Sequence, residues 1–194
     1  MTSTDLTAVI IFLQSAERLK NTLRSGFTST GRPESTAEHT WRLCLMAMLL
    51  SGEFPEVDFA RLIRICVIHD LGEAIRGDIP ATDQTATAPK SAQERQDLLE
   101  LVAPLPVGLR DEIVSLWDEY EAAATPEARL AKALDKLETI LQHTQGLNPP
   151  GFNYRFNLGY GTQFTTAPPL IAELRTILDR ETERRAVEHD LRHP

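Results

Sequence analysis

The sequence predicts an all-α protein folded as one domain. Apolar residues recur at helical spacing in nearly every segment, and no stretch alternates apolar and polar residues as a half-buried strand would. Start and stop signals bracket the same segments. At 194 residues the chain fits a single domain over 1–194, long enough to bury a core.

Taken in order, the first helix is expected from about Thr4 to Leu19, with Val9, Phe12, Ala16 and Leu19 on one face. Its AVIIFL cluster has no basic segment before it, carries Asp5 upstream and runs into AERLK, so it reads as a core helix and not as a signal peptide. LRSGFTSTGRPE follows, a Gly/Ser/Thr-rich loop holding Arg24 and Arg32. Such a loop serves equally well as a ligand-contacting segment or a solvated connector. Ser35-Thr36-Ala37-Glu38 has the form of a capping box and opens a helix to about Ser51, with His39 in its first turn on the side of Leu43, Met46 and Leu50. Asp58 is the expected N-cap of a third helix, in which Leu62, Ile65, Cys66 and His69 share a stripe. Gly72 reads as its C-terminal stop.

After the turn RGDIPATD and the polar stretch TATAPK, helices are expected from about Ser91 to Val102 and from Val107 to Ala123. The second carries Ile113, Leu116, Trp117 and Tyr120, most simply core residues. Pro126 stands at the first position of the next helix, whose stripe is Leu130, Leu134, Leu137 and Leu141, with Asp135 on its shoulder. From 144 to 169 periodicity and nearly all charge vanish, and five of the twelve aromatics gather. Aromatic content argues against disorder, and irregular connections of this length are usually functional. The segment suits a pocket cover, a nucleobase dock or a subunit interface equally. A C-terminal helix is expected over about 170–190, with Leu174, Ile177 and Leu178 before charge takes over.

Bulk composition narrows function. A net charge of -8 leaves no general basic face for nucleic acid polymers or anionic membranes. No apolar run approaches a membrane span. Two cysteines, Cys44 and Cys66, lie in apolar helical stretches without a disulfide framework, which fits a reduced, cytoplasmic setting.

His69-Asp70 ends the apolar run RLIRICVI, with Glu73 and Asp78 just beyond it. An ionisable pair at a core edge costs several kcal/mol to desolvate unless it is paired or bound to a cation. The same dipeptide recurs as His189-Asp190 in a polar C-terminal tail, where a solvated surface role is expected. Three predicted helices thus bring His39, His69 with Asp70, and Asp135 to apolar faces. Two imidazoles and two carboxylates suit a divalent transition metal that activates water; satisfied polar groups in a core are the blander reading.

The stretches PESTAEH, HDLGEAIRGDIP and ALDKLE, in the order H…HD…D, resemble the HD-domain metal-dependent phosphohydrolases, and more narrowly their 5'-deoxynucleotidase branch, over about 19–141. The resemblance implies an HD-domain helical bundle with a metal site between helices. It places a divalent ion (Co, Mn, Zn, Ni, Fe or Mg) on His39, His69, Asp70 and Asp135. It implies catalytic or supporting carboxylates at Glu73 and Asp78, and nucleotide contact by Arg24. Relatives carry an aromatic, typically Trp, just after that arginine; here the chain reads Arg24-Ser25-Gly26-Phe27, making Phe27 the candidate substitute. Two other branches match less well: Ala74 follows Glu73 where an adjacent Glu-Asp pair would stand, and Gly159-Tyr160-Gly161 lacks the proline of a GYP.

The expected activity is removal of the 5'-phosphate from a (deoxy)nucleoside monophosphate by metal-activated water. Glu73 would position or deprotonate that water, and Asp78 would act on the leaving oxygen or orient a neighbour. Arg24 and Arg32 would hold phosphate or sugar. Lys136 reads as a solvated lysine and His143 as structural or exposed. Alternatives are a phosphodiesterase, a phosphatase of another small ester, or a non-catalytic nucleotide sensor. A homodimer is implied by the resemblance alone.

Overall fold

The structure, a computed structural model, describes residues 2–79 and 90–192. Ten helices and one small hairpin are formed by these residues. Helix α1 spans Ser3–Ala16 and a 3₁₀ turn continues it over Glu17–Lys20. Val9, Phe12 and Ala16 lean on the core and Leu19 is buried, but α1 contributes no fully buried residue. It is a rim helix, not the core helix its apolar cluster suggested.

The Gly/Ser/Thr-rich stretch is not a loop. It forms an antiparallel hairpin, β1 (Leu23–Phe27) and β2 (Pro33–Ser35), with Leu23 opposite Ser35 and Phe27 opposite Pro33. Such short, irregularly registered strands carry no readable alternation, so only their pairing reveals them.

Ser35 caps α2 (Thr36–Leu50) through the expected capping box, its side chain accepting from Glu38 N while the Glu38 carboxylate accepts from Ser35 N. Asp58 caps α3 (Phe59–Ile68) by accepting from Arg61 N. Gly72 does not act as a left-handed stop: its φ of -59° is ordinary helical backbone at the entry to the short α4 (Glu73–Arg76). Its small size matters instead, because a Cβ there would lie 2.6 Å from the Glu94 carbonyl oxygen of α5 (Lys90–Val102). The end of RGDIPATD from residue 80, and TATAPK up to residue 89, lie outside the described residues.

Helix α6 (Val107–Ala122) buries Leu116, Trp117 and Tyr120. Thr125 caps α7 (Pro126–Gln145), with Pro126 at its first position. This long helix is the axis of the molecule: it packs against α2, α3, α6 and β1, and later elements close its remaining side. Leu130, Leu134 and Leu137 are buried along it, together with Asp135 and Glu138.

The aperiodic segment is ordered around two helical turns, α8 (Phe156–Gly159) and α9 (Thr162–Thr165). Helix α10 (Pro169–Arg192) pins them. Its buried Arg175 donates to the carbonyl oxygens of Asn157 and Leu158 (both 2.8 Å) and Tyr160 (2.7 Å). Because α10 runs through the polar C-terminal stretch, His189 is half-buried, its ring 5.6 Å from that of Tyr154, and Asp190 pairs with Arg155. That stretch is a helix, not a solvated tail. No helix among the described residues is long and apolar enough to cross a membrane.

Candidate metal centre and active site

Three elements converge on one point. Helix α2 brings His39 from its first turn, the end of α3 brings His69 and Asp70, and mid-α7 brings Asp135. The imidazole rings lie 5.5 Å apart. His39 Nε2 is 3.2 Å from Asp135 Oδ1 and 3.9 Å from Asp70 Oδ2. His69 Nε2 is 3.0 Å from Asp70 Oδ2 and 4.0 Å from Asp135 Oδ1.

Both Nε2 atoms are buried, and neither makes a hydrogen bond of acceptable geometry. The opposite ring nitrogens explain their direction. His69 Nδ1 lies 2.8 Å from the Cys66 carbonyl oxygen, which can only accept, so this nitrogen carries a proton and Nε2 is left facing the carboxylates. Trp117 Nε1 donates to the His69 carbonyl oxygen at 3.0 Å and fixes the backbone there. His39 Nδ1 contacts Glu138 Oε2. Ligand atoms of His39, His69 and Asp70 all lie within 4.8 Å of one another. A divalent cation fits this set: it would satisfy two orphaned nitrogens and neutralise the half-buried Asp70 and the buried Asp135 with a mixed N/O donor group.

Asp135 divides its oxygens. Oδ1 faces the imidazoles, whereas Oδ2 accepts from Tyr120 Oη at 2.8 Å and Lys136 Nζ at 2.7 Å. Burial opposes its charge, but Lys136, His39 and His69 hold its carboxyl well below the usual range. Burial likewise opposes the Asp70 charge, and His69, Arg24 and His39 outweigh it. Without a cation, the carboxylates of Glu138 and Asp135 push His39 up to about 10 against burial and Arg24.

The point lies in a cavity of about 710 Å³. Arg24, Glu73, Asp78 and Lys136 line it, with Phe152, Phe156 and Tyr160 of the aperiodic segment as a wall. Arg24 reaches in from β1, with Nη1 3.3 Å from Asp70 Oδ2 and Nη2 3.1 Å from Thr139 Oγ1. Burial disfavours its charge, but Asp70, Asp78, Asp135 and Glu73 keep it protonated. Glu73 is buried and accepts from Thr36 Oγ1 at 3.0 Å.

Two sequence candidates fall elsewhere. Phe27 does not line the cavity; its carbonyl oxygen accepts from Gln142 Nε2 behind β1, and Ser25 is the hairpin residue beside Arg24 that does line it. Arg32 is exposed at the far end of the hairpin, held by Glu38 at 2.7 and 3.0 Å.

Lys136 and His143 also belong to the cavity. Lys136 is not solvated: Nζ is on Asp135, and its stem packs on Gly161, where a Cβ would lie 2.6 Å away and φ is +66°. His143 is buried, lines the cavity and has Nδ1 2.9 Å from Asn157 Oδ1; burial holds its pKa down. Glu138 and Arg42 were missed, although each lies one helical turn beyond a candidate ligand on the same face. Glu34 gave no signal, because its place depends on the hairpin.

The sequence profile of the HD domain family matches residues 16–173. The chain belongs to the HD-domain family. Its curated relatives include the mouse 5'-deoxynucleotidase HDDC2, 33% identical over 180 residues, covering 90% of this chain and 87% of that protein. The human and zebrafish proteins of the same name are 34% and 36% identical, over 68% and 66% of their own lengths. Among solved structures, one described as a "predicted metal-dependent phosphohydrolase" from Magnetospirillum magnetotacticum superimposes with a TM-score of 0.82 at 31% identity, covering 94% of each chain.

Proposed function

We propose that this HD-domain chain is a metal-dependent phosphohydrolase that removes the 5'-phosphate from deoxynucleoside or nucleoside monophosphates. The observation that carries the reading is the pair of orphaned imidazole nitrogens facing Asp70 and Asp135, which with His69 line a cavity that also holds Arg24 and Lys136. The names of its relatives support the substrate class. His39, His69, Asp70 and Asp135 would hold the divalent cation, and either a Co²⁺-like or an Mn²⁺-like ion satisfies that donor set. When bound, such a cation lowers the pKa of water and polarises a phosphoryl oxygen.

The chain's own groups do the rest. Arg24 and Lys136 supply donors and positive charge to the phosphate oxygens, in a cavity whose walls otherwise carry several carboxylates. Their fixed charge also offsets the repulsion those carboxylates exert on an anionic substrate. Glu73, oriented by Thr36, accepts the proton of the attacking water. Asp78, half-buried at the same cavity, acts on the departing 5'-oxygen or orients a neighbouring group. The aromatic wall of Phe152, Phe156 and Tyr160 offers the flat apolar surface a base or sugar needs. Ser25, not an indole, stands beside Arg24, so the chain discriminates weakly between ribose and deoxyribose.

The test is phosphate release from dAMP and AMP, side by side, with chelated enzyme restored by Co²⁺ or Mn²⁺. Metal-dependent release from both is expected. Release from dAMP alone would keep the activity and overturn the weak sugar discrimination; release from neither would overturn the nucleotidase reading. A cytoplasmic homodimer completes the proposal. Exposed apolar side chains on α1 (Leu6, Ile10, Leu13) and α2 (Trp41, Met48, Leu49) support self-association, which sedimentation equilibrium would read as twice the chain mass.

A further inference from the structure

Behind His39 lies a buried polar cluster that the proposed chemistry does not use. Helix α2 presents His39 and, three residues on, Arg42; helix α7 presents Asp135 and, three residues on, Glu138. The two faces meet as rungs. His39 Nε2 approaches Asp135 Oδ1 at 3.2 Å, and Arg42 Nε donates to Glu138 Oε1 at 2.6 Å. Glu138 Oε2 crosses between them to His39 Nδ1. Glu138 has no exposed surface, and the Arg42 guanidinium also contacts Gln142 Oε1, one turn further along α7.

We infer that Glu138 is the positioning residue for His39, holding the proton on Nδ1 so that the Nε2 lone pair points at Asp70 and Asp135. The inference rests on the reading of His39, His69, Asp70 and Asp135 as metal ligands. The two imidazoles differ in a way that assigns the role. His69 is oriented by a carbonyl oxygen of its own helix, three residues back, whereas His39 depends on a carboxylate from another helix. Loss of Glu138 therefore frees one imidazole and leaves the other in place.

Glu34, His39 and Glu138 also bring ligand atoms within 4.8 Å of one another, which raises a second cation site as the rival. Two guanidinium groups argue against it. Arg42 lies 2.5 Å from Glu138 Oε1 and 3.8 Å from Glu34 Oε1, and Arg24 lies 3.7 Å from Glu34 Oε2. There His39 Nδ1 is also already engaged by Glu138, whereas the two Nε2 atoms facing Asp70 and Asp135 have no hydrogen bond. An outer carboxylate that sets a ligand's tautomer is a general feature of histidine metal sites, and its loss typically weakens metal binding by about 10- to 100-fold.

The experiment measures Co²⁺ affinity by competition with a chromophoric chelator, together with the visible spectrum of the bound ion. Four chains are compared: unaltered, Glu138→Gln, Glu138→Leu, and Glu138→Leu with Arg42→Met. The double variant removes the half-buried guanidinium that Glu138→Leu would deprive of its Glu138 bond, so it keeps the test alive if the single variant does not fold. Both Leu variants are expected to bind about 10- to 100-fold more weakly, with an altered spectrum. Glu138→Gln, whose amide oxygen can accept from Nδ1–H while its NH2 meets Arg42, is expected to recover part of the affinity. A double variant that binds like the unaltered chain, or a Gln variant that loses as much as the Leu variants, would overturn the inference alone. An unaltered chain that takes up no Co²⁺ would overturn the metal-site reading beneath it.

Discussion

His69-Asp70 and His189-Asp190 show how little a dipeptide says by itself. Both copies are in or beside helices, and both histidines are at least half-buried. They differ in what surrounds them. His69 Nε2 faces two carboxylates and has no hydrogen bond, while His189 lies edge-on to Tyr154, with Asp190 engaged by Arg155. His69→Ala or Asp70→Ala should therefore abolish metal retention and phosphate release. His189→Ala should leave metal content unchanged and cost only the packing of a half-buried ring. Metal analysis of the purified variants decides this, and equal loss in His189→Ala would undo the ligand assignment. The periodicity of RLIRICVI was enough to put His69 on the buried stripe; no reading of residues 189–190 could have found Tyr154.

At the scale of elements, the turn after His69 depends on how closely α5 approaches it. A Gly→Ala change at a helical φ of -59° would ordinarily stabilise a protein by about 0.4–1 kcal/mol, through lost freedom in the unfolded chain. Here the added Cβ would meet the Glu94 carbonyl oxygen at 2.6 Å, and backbone cannot step aside as a flexible side chain can. Overpacking of this kind costs about 1–3 kcal/mol, so the clash wins. Gly72→Ala should lower the denaturation midpoint, and the shift of α5 should weaken metal binding through Asp70, two residues away. A variant as stable as the unaltered chain would show that α5 gives way freely. The aperiodic segment is the other element decided by contacts: Arg175 gathers the carbonyl oxygens of Asn157, Leu158 and Tyr160, which holds the aromatic wall against α7 with only two short helical turns.

Over the whole molecule, the site joins elements from both halves of the sequence, so a cation held there ties the fold together. Its proposed ligands come from α2, the end of α3 and α7, the helices that also bury Leu43, Leu62, Ile65, Leu134 and Leu137. A ligand that binds only the folded chain at a hundred times its Kd adds about 2.7 kcal/mol. Removing metal by chelation should accordingly lower Tm, and Co²⁺ should restore it. Melting curves that coincide with and without metal would place the ion elsewhere or nowhere.

The sequence by itself determined the all-α class, the helix starts at Ser35, Asp58 and Pro126, and the order of the candidate ligands along the chain. These follow from spacing and local capping, which act within a few residues. Tertiary structure decided what distant residues do to each other. It made strands of an apparent loop, moved Arg32 and Phe27 away from the cavity, and brought Ser25 to it. It turned Lys136 inward through Gly161, 25 positions along the chain, and gave His39 its partner Glu138 across 99. Pairing of that kind depends on how helices cross and which faces meet, and no local pattern encodes it.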